Sequence, residues 1–338
     1  MNKHVEDLNY NYVYFNSTYS GGGIIDPNEY NSICLRDLEE VEGTQVVPCF
    51  FDYAPRIVRR AYNFISSKQH NKLQTTLYPF VFKNKLPQNN KKICFVIAKN
   101  VPLSYLTYLR RKYTGCKIVK VYRDLIKVGQ GMNSEYTLDN TRKYFDLQFS
   151  FDKDEAMKYG FIYFDEIESK INIPIDPNYP ISDVFFAGKA KDRLPKILEA
   201  YHIFNSIGLK CDFYITHVPK EDRVDLPGIT YSDSFMPYNQ MLFRTINSRC
   251  MLDINQSGAV GYTSRFLEAV IYNKKIILDN PAVKNSRYYD PKYIQLVDSI
   301  GDIDPNFVIS GDVVDYGYQG DFSPVRLISL IDKELSKQ

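Results

Sequence analysis

Arg265 and Glu268 stand three residues apart at the start of an apolar stretch. They follow Thr263, Ser264 and a loop holding Gly258 and Gly261, in the run QSGAVGYTSRFLEAVIYNKKII from Gln256 to Ile277. Glycine lets a backbone come close to a ligand. Phe266, Leu267, Val270 and Ile271 predict one core-facing helix stripe, and Thr263 or Ser264 can cap that helix. The N–H groups and dipole of such a helix start suit an anion, and Arg265 adds charge. Glu268 lies four residues from Ser264, one too many for a capping box, and has no evident structural partner in the sequence. A carboxylate beside an anion site suits ribose hydroxyls. Phosphate at the loop and ribose at the acid together describe a nucleotide. The competing reading is a capped helix whose Glu268 pairs with a surface lysine.

A second stretch has the same chemistry. DVFFAGKAKDRL (Asp183–Leu194) reads as a strand, then Gly188, then Lys189, Lys191 and Arg193 ahead of a helix. Cations there can neutralise a diphosphate. The stretch matches neither the dinucleotide fingerprint nor the P-loop, so neither dehydrogenase nor P-loop chemistry is supported.

These loops need strands and helices to hold them. Strand patterns fall at 12–16, 45–51, 92–98, 117–122 and 147–151, and helical patterns at 56–67 and 103–113. On 56–67 the pattern puts Ile57, Val58, Ala61, Tyr62 and Ile65 on one face. INIPIDPNYP (Ile171–Pro180) carries three prolines and reads as a linker. Alternation then restarts through a strand at 182–186, helix at 194–207, strand at 212–216, helix at 238–248, strand at 250–254, helix at 264–272 and strand at 275–278. A strand at 293–297 and a closing helix at 324–337 complete it. Strand–helix alternation predicts parallel α/β sheets, with ligands beyond the carboxyl ends of the strands.

The 338 residues suffice for two such domains. Net charge is only +2, yet Tyr53–Lys127 holds 17 Lys/Arg against one acid, Asp124. That block implies a polyanionic partner: anionic lipid, a pyrophosphate-bearing substrate or nucleic acid. A solvated basic surface is the bland alternative. The six cysteines form no C-x-x-C pair and read as reduced thiols, which fits neither a disulfide framework nor a zinc site. No apolar run approaches a membrane span, so a cytoplasmic chain is expected, peripheral at the inner face of the membrane at most.

LDINQSGAVGYTSRFLEAVIYNKKIILDN (Leu252–Asn280) is similar to a stretch of bacterial enzymes of capsule, exopolysaccharide and lipopolysaccharide synthesis. The matching residues are Asp253, Gln256, Gly258, Gly261, Thr263, Arg265, Glu268, Lys274 and Lys275. Gly188 and Arg193, followed by LKCDFYIT (Leu209–Thr216), resemble the nucleotide-binding half of GT-B glycosyltransferases, and YFDLQFSFDKDEAMKYGFIYF (Tyr144–Phe164) resembles their interdomain stretch. The likeness is close over the second half of the chain and loose over the first.

The resemblance implies an α/β fold of two doubly wound Rossmann-like domains facing across a cleft. An acceptor-side domain would span 1–170 and a nucleotide-sugar domain 171–338, with the last helix crossing back. It implies a nucleotide-sugar donor, UDP-sugar favoured. Gly188, Lys189, Arg193 and the Thr263–Ser264 amides would hold the diphosphate. Gln256, Gly261 and Arg265 would lie in the same site, Glu268 would hold the ribose and Tyr262 would line the sugar pocket. No metal and no cofactor are expected, because cations and helix dipoles can do the work of a divalent ion.

In the first domain, YFNSTYSGGGIIDPNEY (Tyr14–Tyr30) follows the first strand, and its glycine loop would face the reacting sugar. An inverting transferase needs a base for the acceptor hydroxyl, and Asp26 is the candidate; a turn or helix-start role for Asp26 is the competing reading. The acceptor would be a saccharide or a lipid-pyrophosphate-linked saccharide. The basic helix at 56–67 would rest on anionic headgroups. No nucleic-acid motif is present. A nucleotide-sugar epimerase and a catalytically inactive GT-B partner subunit remain as alternatives. Glu268→Gln is expected to weaken nucleotide binding and leave the melting temperature nearly unmoved.

Overall fold

The computed structural model describes residues 8–16, 29–48, 56–67, 76–78, 90–126, 137–255 and 261–338. Asp26, Gly21–Gly23, Gln256 and Gly258 lie outside them. The chain divides into two compact units, 1–169 with 322–338, and 170–321. Each is built on one six-stranded sheet in which every neighbouring pair is parallel.

In unit 1 the strands are β1 (Tyr10–Asn16), β2 (Thr44–Pro48), β3 (Lys92–Ile97), β4 (Lys117–Tyr122), β5 (Leu147–Ser150) and β6 (Ile162–Tyr163), in the order β2-β1-β3-β4-β5-β6. Its principal helices are α1 (Tyr30–Cys34), α2 (Arg56–Ser67), α3 (Leu103–Lys112), α4 (Lys153–Tyr159) and, from the chain's end, the closing helix Pro324–Leu335. A parallel sheet must be covered on both faces, and the two-residue period of β1 shows how. Val13 and Phe15 pack with Leu106 and Leu109 of α3. Tyr12 and Tyr14 pack on the other face with Leu327, Ile328 and Ile331 of the closing helix. Asp332 fastens that helix to β1. One carboxylate oxygen accepts from the Tyr12 hydroxyl at 2.7 Å and the Asn9 amide at 3.0 Å, the other from Asn9 Nδ2 at 2.7 Å.

In unit 2 the strands are β7 (Ser182–Lys189), β8 (Cys211–Thr216), β9 (Ile229–Ser232), β10 (Ser248–Asp253), β11 (Lys275–Leu278) and β12 (Ile294–Leu296), in the order β12-β11-β10-β7-β8-β9. Its principal helices are α5 (Leu194–Ser206), α6 (Tyr238–Asn247) and α7 (Ser264–Ile271); the closing helix is α8. Strand order turns back between β1 and β3 in unit 1, and between β7 and β10 in unit 2. Ligands of open α/β sheets sit beyond the carboxyl ends of such strands.

The alternation predicted from sequence is present, with differences that have physical causes. β6 and β9 are edge strands of two and four residues, too short to show a period. Residues 164–181 carry no helix or strand, and Pro174, Pro177 and Pro180 account for the later part of that stretch. Helix α2 spans the expected residues, but Ile57 is exposed and does not share a core face with Val58. At 100° per residue Ile57 and Phe64 fall on one line of the helix, and both point outward, while Val58 packs on the core. The basic block is also less available than its charge suggests. Arg110 and Lys117 meet Asp146, Arg123 pairs with Glu166, and buried Lys120 donates to the Ala98 carbonyl and Asn100 Oδ1.

Candidate functional site

The carboxyl ends of β7 and β10 bring two arginines onto one glycine. Arg193 closes a short turn after β7 and is 8% exposed. Its Nη1 donates to the Ile254 carbonyl just past β10, and its Nη2 to the Lys189 carbonyl ending β7, both at 2.5 Å. Arg265, in the first turn of α7, donates from Nε to the Ala187 carbonyl at 3.1 Å and also bonds it through Nη2. A Cβ on Gly188 would stand 2.7 Å from Arg265 Nη2 and 3.8 Å from Arg193 Nη2. Glycine is what admits the guanidinium there. Burial, and then the neighbouring charge of Arg265, lower the pKa of Arg193.

Asp253, the last residue of β10, balances one of these charges. It is 2% exposed; Oδ1 meets Arg265 Nη1 at 3.2 Å and Oδ2 accepts the Thr263 hydroxyl at 2.5 Å. Thr263 caps α7, its Oγ1 accepting from the Phe266 amide at 3.2 Å. The Leu267 amide bonds the Thr263 carbonyl. Helix geometry leaves the Ser264 and Arg265 N–H groups without an intrahelical acceptor, and they are the pair aimed out of the helix start. Two guanidiniums and a helix N-terminus meet here beside Asp253, with Asp192 and Asp279 also close enough to act on Arg193; the guanidiniums and the outward helix N–H groups suit a phosphate.

Glu268 lies one turn further along α7 and is fully buried. Oε1 accepts the Tyr238 hydroxyl of α6 at 2.8 Å, whereas Oε2 has no hydrogen-bond partner. Burial pushes its carboxyl up to about 7, against the opposing pull of Tyr238 and Arg265. The sequence reading that gave Glu268 no structural partner is therefore corrected on one oxygen. Tyr238 lies thirty residues away on another helix, and no local spacing announces it.

The remaining predicted residues divide. Gly261 follows the loop, and its carbonyl accepts Asn280 Nδ2 at 2.9 Å. The Tyr262 ring lies tilted against that of Phe266, with centroids 5.0 Å apart. Lys189 turns away from the guanidinium pair, its Nζ lying 4.9 Å from the Phe235 ring centroid. Lys274 and Lys275 serve the scaffold. The first donates to the Ile246 and Ser248 carbonyls at 2.6 and 2.8 Å, the second to the Phe307 and Ser310 carbonyls at 2.9 and 2.8 Å. Burial lowers the Lys274 ammonium to about 8. Sequence reasoning quoted Asp253 without a task and missed Asn280. The strand-end position of Asp253, ten and twelve residues before Thr263 and Arg265, was the available signal.

No protein-family model and no curated protein matches the chain. Solved structures do. An E. coli trehalose-6-phosphate protein bound with UDP-2-fluoro glucose superposes with a TM-score of 0.51 at 9% identity, covering 96% of this chain and 95% of that one. A DNA-modifying β-glucosyltransferase reaches 0.45 at 13% identity, over 96% and 94% of the two chains. A putative UDP-N-acetylglucosamine 2-epimerase from Listeria monocytogenes reaches 0.47 at 12%, over 97% of each. The first of these, with the paired parallel sheets, establishes the α/β two-domain fold of the GT-B class.

Proposed function

We propose that the chain is a glycosyltransferase that moves a sugar from a nucleotide-sugar donor, a UDP-sugar by preference, to a saccharide or lipid-linked saccharide in surface-polysaccharide synthesis. One observation carries the reading. At the turning point of the second sheet, Arg193 and Arg265 converge on Gly188 beside the N-terminus of α7, and one turn away Glu268 holds a buried oxygen without a partner. Diphosphate neutralises the guanidiniums and takes the Ser264 and Arg265 amides. A ribose hydroxyl satisfies Glu268 Oε2. The charge that builds on the leaving diphosphate is stabilised by groups already in place, so the reaction proceeds without a metal. The GT-B neighbour bound with UDP-2-fluoro glucose supports the donor class.

The first unit receives the acceptor, with Asp26 as its base. Helix α2 rests on anionic lipid through Ile57 and Phe64, with exposed Arg60 between them. Among the described residues no helix is long and apolar enough to cross a membrane; the proposed location is the cytoplasmic face of the membrane.

The test is incubation with UDP-, GDP- and dTDP-sugars in the presence of EDTA. Slow donor hydrolysis, accelerated by saccharide acceptors, is the expected outcome. An epimerised sugar would assign the chain to epimerases, and the absence of turnover on any donor would leave a binding subunit.

A further inference from the structure

Tyr238 opens α6, is buried, and donates its hydroxyl to Glu268 Oε1 at 2.8 Å. The helix it begins is fastened at the other end as well. Lys274, just past α7, donates to the Ile246 and Ser248 carbonyls at 2.6 and 2.8 Å. Tyr238 is thus held against α7 by contacts at both ends of α6. Around Glu268, α7 itself is apolar, since Phe266, Leu267 and Val270 are all fully buried. The charged and titratable groups that act on the carboxyl are Tyr238 from α6, Arg265 from its own helix and Asp253 from β10. From β11, the Lys275 ammonium is committed to the Phe307 and Ser310 carbonyls.

We infer that Tyr238 is a positioning residue, whose hydroxyl holds Glu268 Oε1, leaves Oε2 for the nucleotide and sets the pH at which a nucleotide-sugar binds. This rests on the ribose contact proposed for Glu268 and adds to it a second residue and a proton. A buried carboxylate with one donor is poorly stabilised as an anion. Burial raises its carboxyl to about 7, and the Tyr238 hydrogen bond opposes that rise. Ribose hydroxyls donating to Oε2 stabilise the anion further, whereas a nearby diphosphate disfavours it. Arg193, Arg265 and the start of α7 offset the diphosphate charge, so the ribose bonds decide the sign. Binding therefore drives a proton off Glu268, and affinity falls as pH drops through the carboxyl's range. Without the Tyr238 hydroxyl the anion loses its one donor, and the same dependence moves to higher pH.

Calorimetric titration of the full chain with UDP-glucose from pH 5.5 to 8.5, in paired buffers of different ionisation enthalpy, tests this. UDP-glucose is the probe because its diphosphate is a diester with no proton to lose near neutrality. The wild type should bind about tenfold more weakly at pH 5.5 than at pH 8.5. Tenfold in affinity is one pKa unit, so proton release should peak at about half a proton near pH 6.5. Glu268→Gln should bind at the acid-limb wild-type level at every pH and release no proton. Tyr238→Phe should match the wild type at pH 5.5, where both hold the neutral acid, and its rise in affinity should come about one pH unit later. A merely structural tyrosine would weaken binding by one factor at every pH, and that result would overturn the inference. So would wild-type binding without pH dependence or proton release, which leaves the donor site standing. Absence of UDP-glucose binding at every pH would overturn the donor reading together with this one. Should Tyr238→Phe fail to fold, proton release by the wild type and its loss in Glu268→Gln still decide.

Discussion

Glu268 is the residue on which the proposed ribose contact turns, and its burial has a consequence for stability. Ligand-free, its carboxyl is held at about 7 by burial, against an ordinary 4.5. Between those two values the unfolded chain has already released a proton that the folded chain keeps. The stability this residue contributes is therefore complete below about 4.5 and is lost as pH rises through about 7, a difference on the order of 3 kcal/mol. Glu268→Gln mimics the protonated acid and retains an acceptor for Tyr238. Urea unfolding should give equal stability for variant and wild type at pH 5, and a more stable variant at pH 8. A less stable variant at pH 8 would show a structural carboxylate. This replaces the expectation of an unmoved melting temperature. It follows from complete burial, which no sequence pattern displayed. A second prediction sits at Gly188. Its added Cβ in Gly188→Ala would meet the Arg265 guanidinium at 2.7 Å, and long side chains yield more readily than backbone. The variant should fold, and its affinity for UDP measured by calorimetry should fall about tenfold or more as Arg265 leaves its place. Unchanged affinity would remove Arg265 from the site.

Helices and strands were legible in proportion to their length and burial. β7 and β10 are apolar runs in the sequence, and α7 has its cap and its core stripe within nine residues, so these strands and this helix could be placed in advance. Their long-range partners could not. Tyr238 and Asn280 reach α7 and Gly261 across the fold, and such contacts leave no local period. Helix α2 shows the opposite error: its span was read, but its orientation was not, since Ile57 proved to be outside. That outward pair makes a prediction. Replacing Ile57 and Phe64 together with serine should reduce sedimentation with phosphatidylglycerol vesicles about tenfold or more, as the apolar contacts with the bilayer are lost. The same double change should leave melting temperature unaltered, because both side chains are exposed. Vesicle binding that survives it would move the lipid contact elsewhere.

Over the whole molecule, the sequence alternation and its proline-rich interruption fit the two parallel sheets, while the arrangement of buried charge was invisible. Seventeen cations in one block read as a surface, yet Lys120 is buried, Arg123 nearly so, and Arg110 and Lys117 share Asp146. The closing helix shows how strongly topology outweighs sequence order. Although last in the chain, it covers β1, so deleting 322–338 should abolish amide exchange protection in β1 and β3 and spare β7 and β10. Loss of protection in all four strands would contradict that division. Unit 2 is proposed to hold a nucleoside diphosphate through cations, a helix start and Glu268. Calorimetric titration of UDP at pH 8 with EDTA present, into wild type and Glu268→Gln, tests this. Saturable binding by the wild type is expected, with affinity about tenfold lower or worse in the variant, because hydrogen bonds to a carboxylate are worth roughly 1.5–3 kcal/mol. Absence of binding, binding abolished by EDTA, or equal affinity in the two proteins would contradict it.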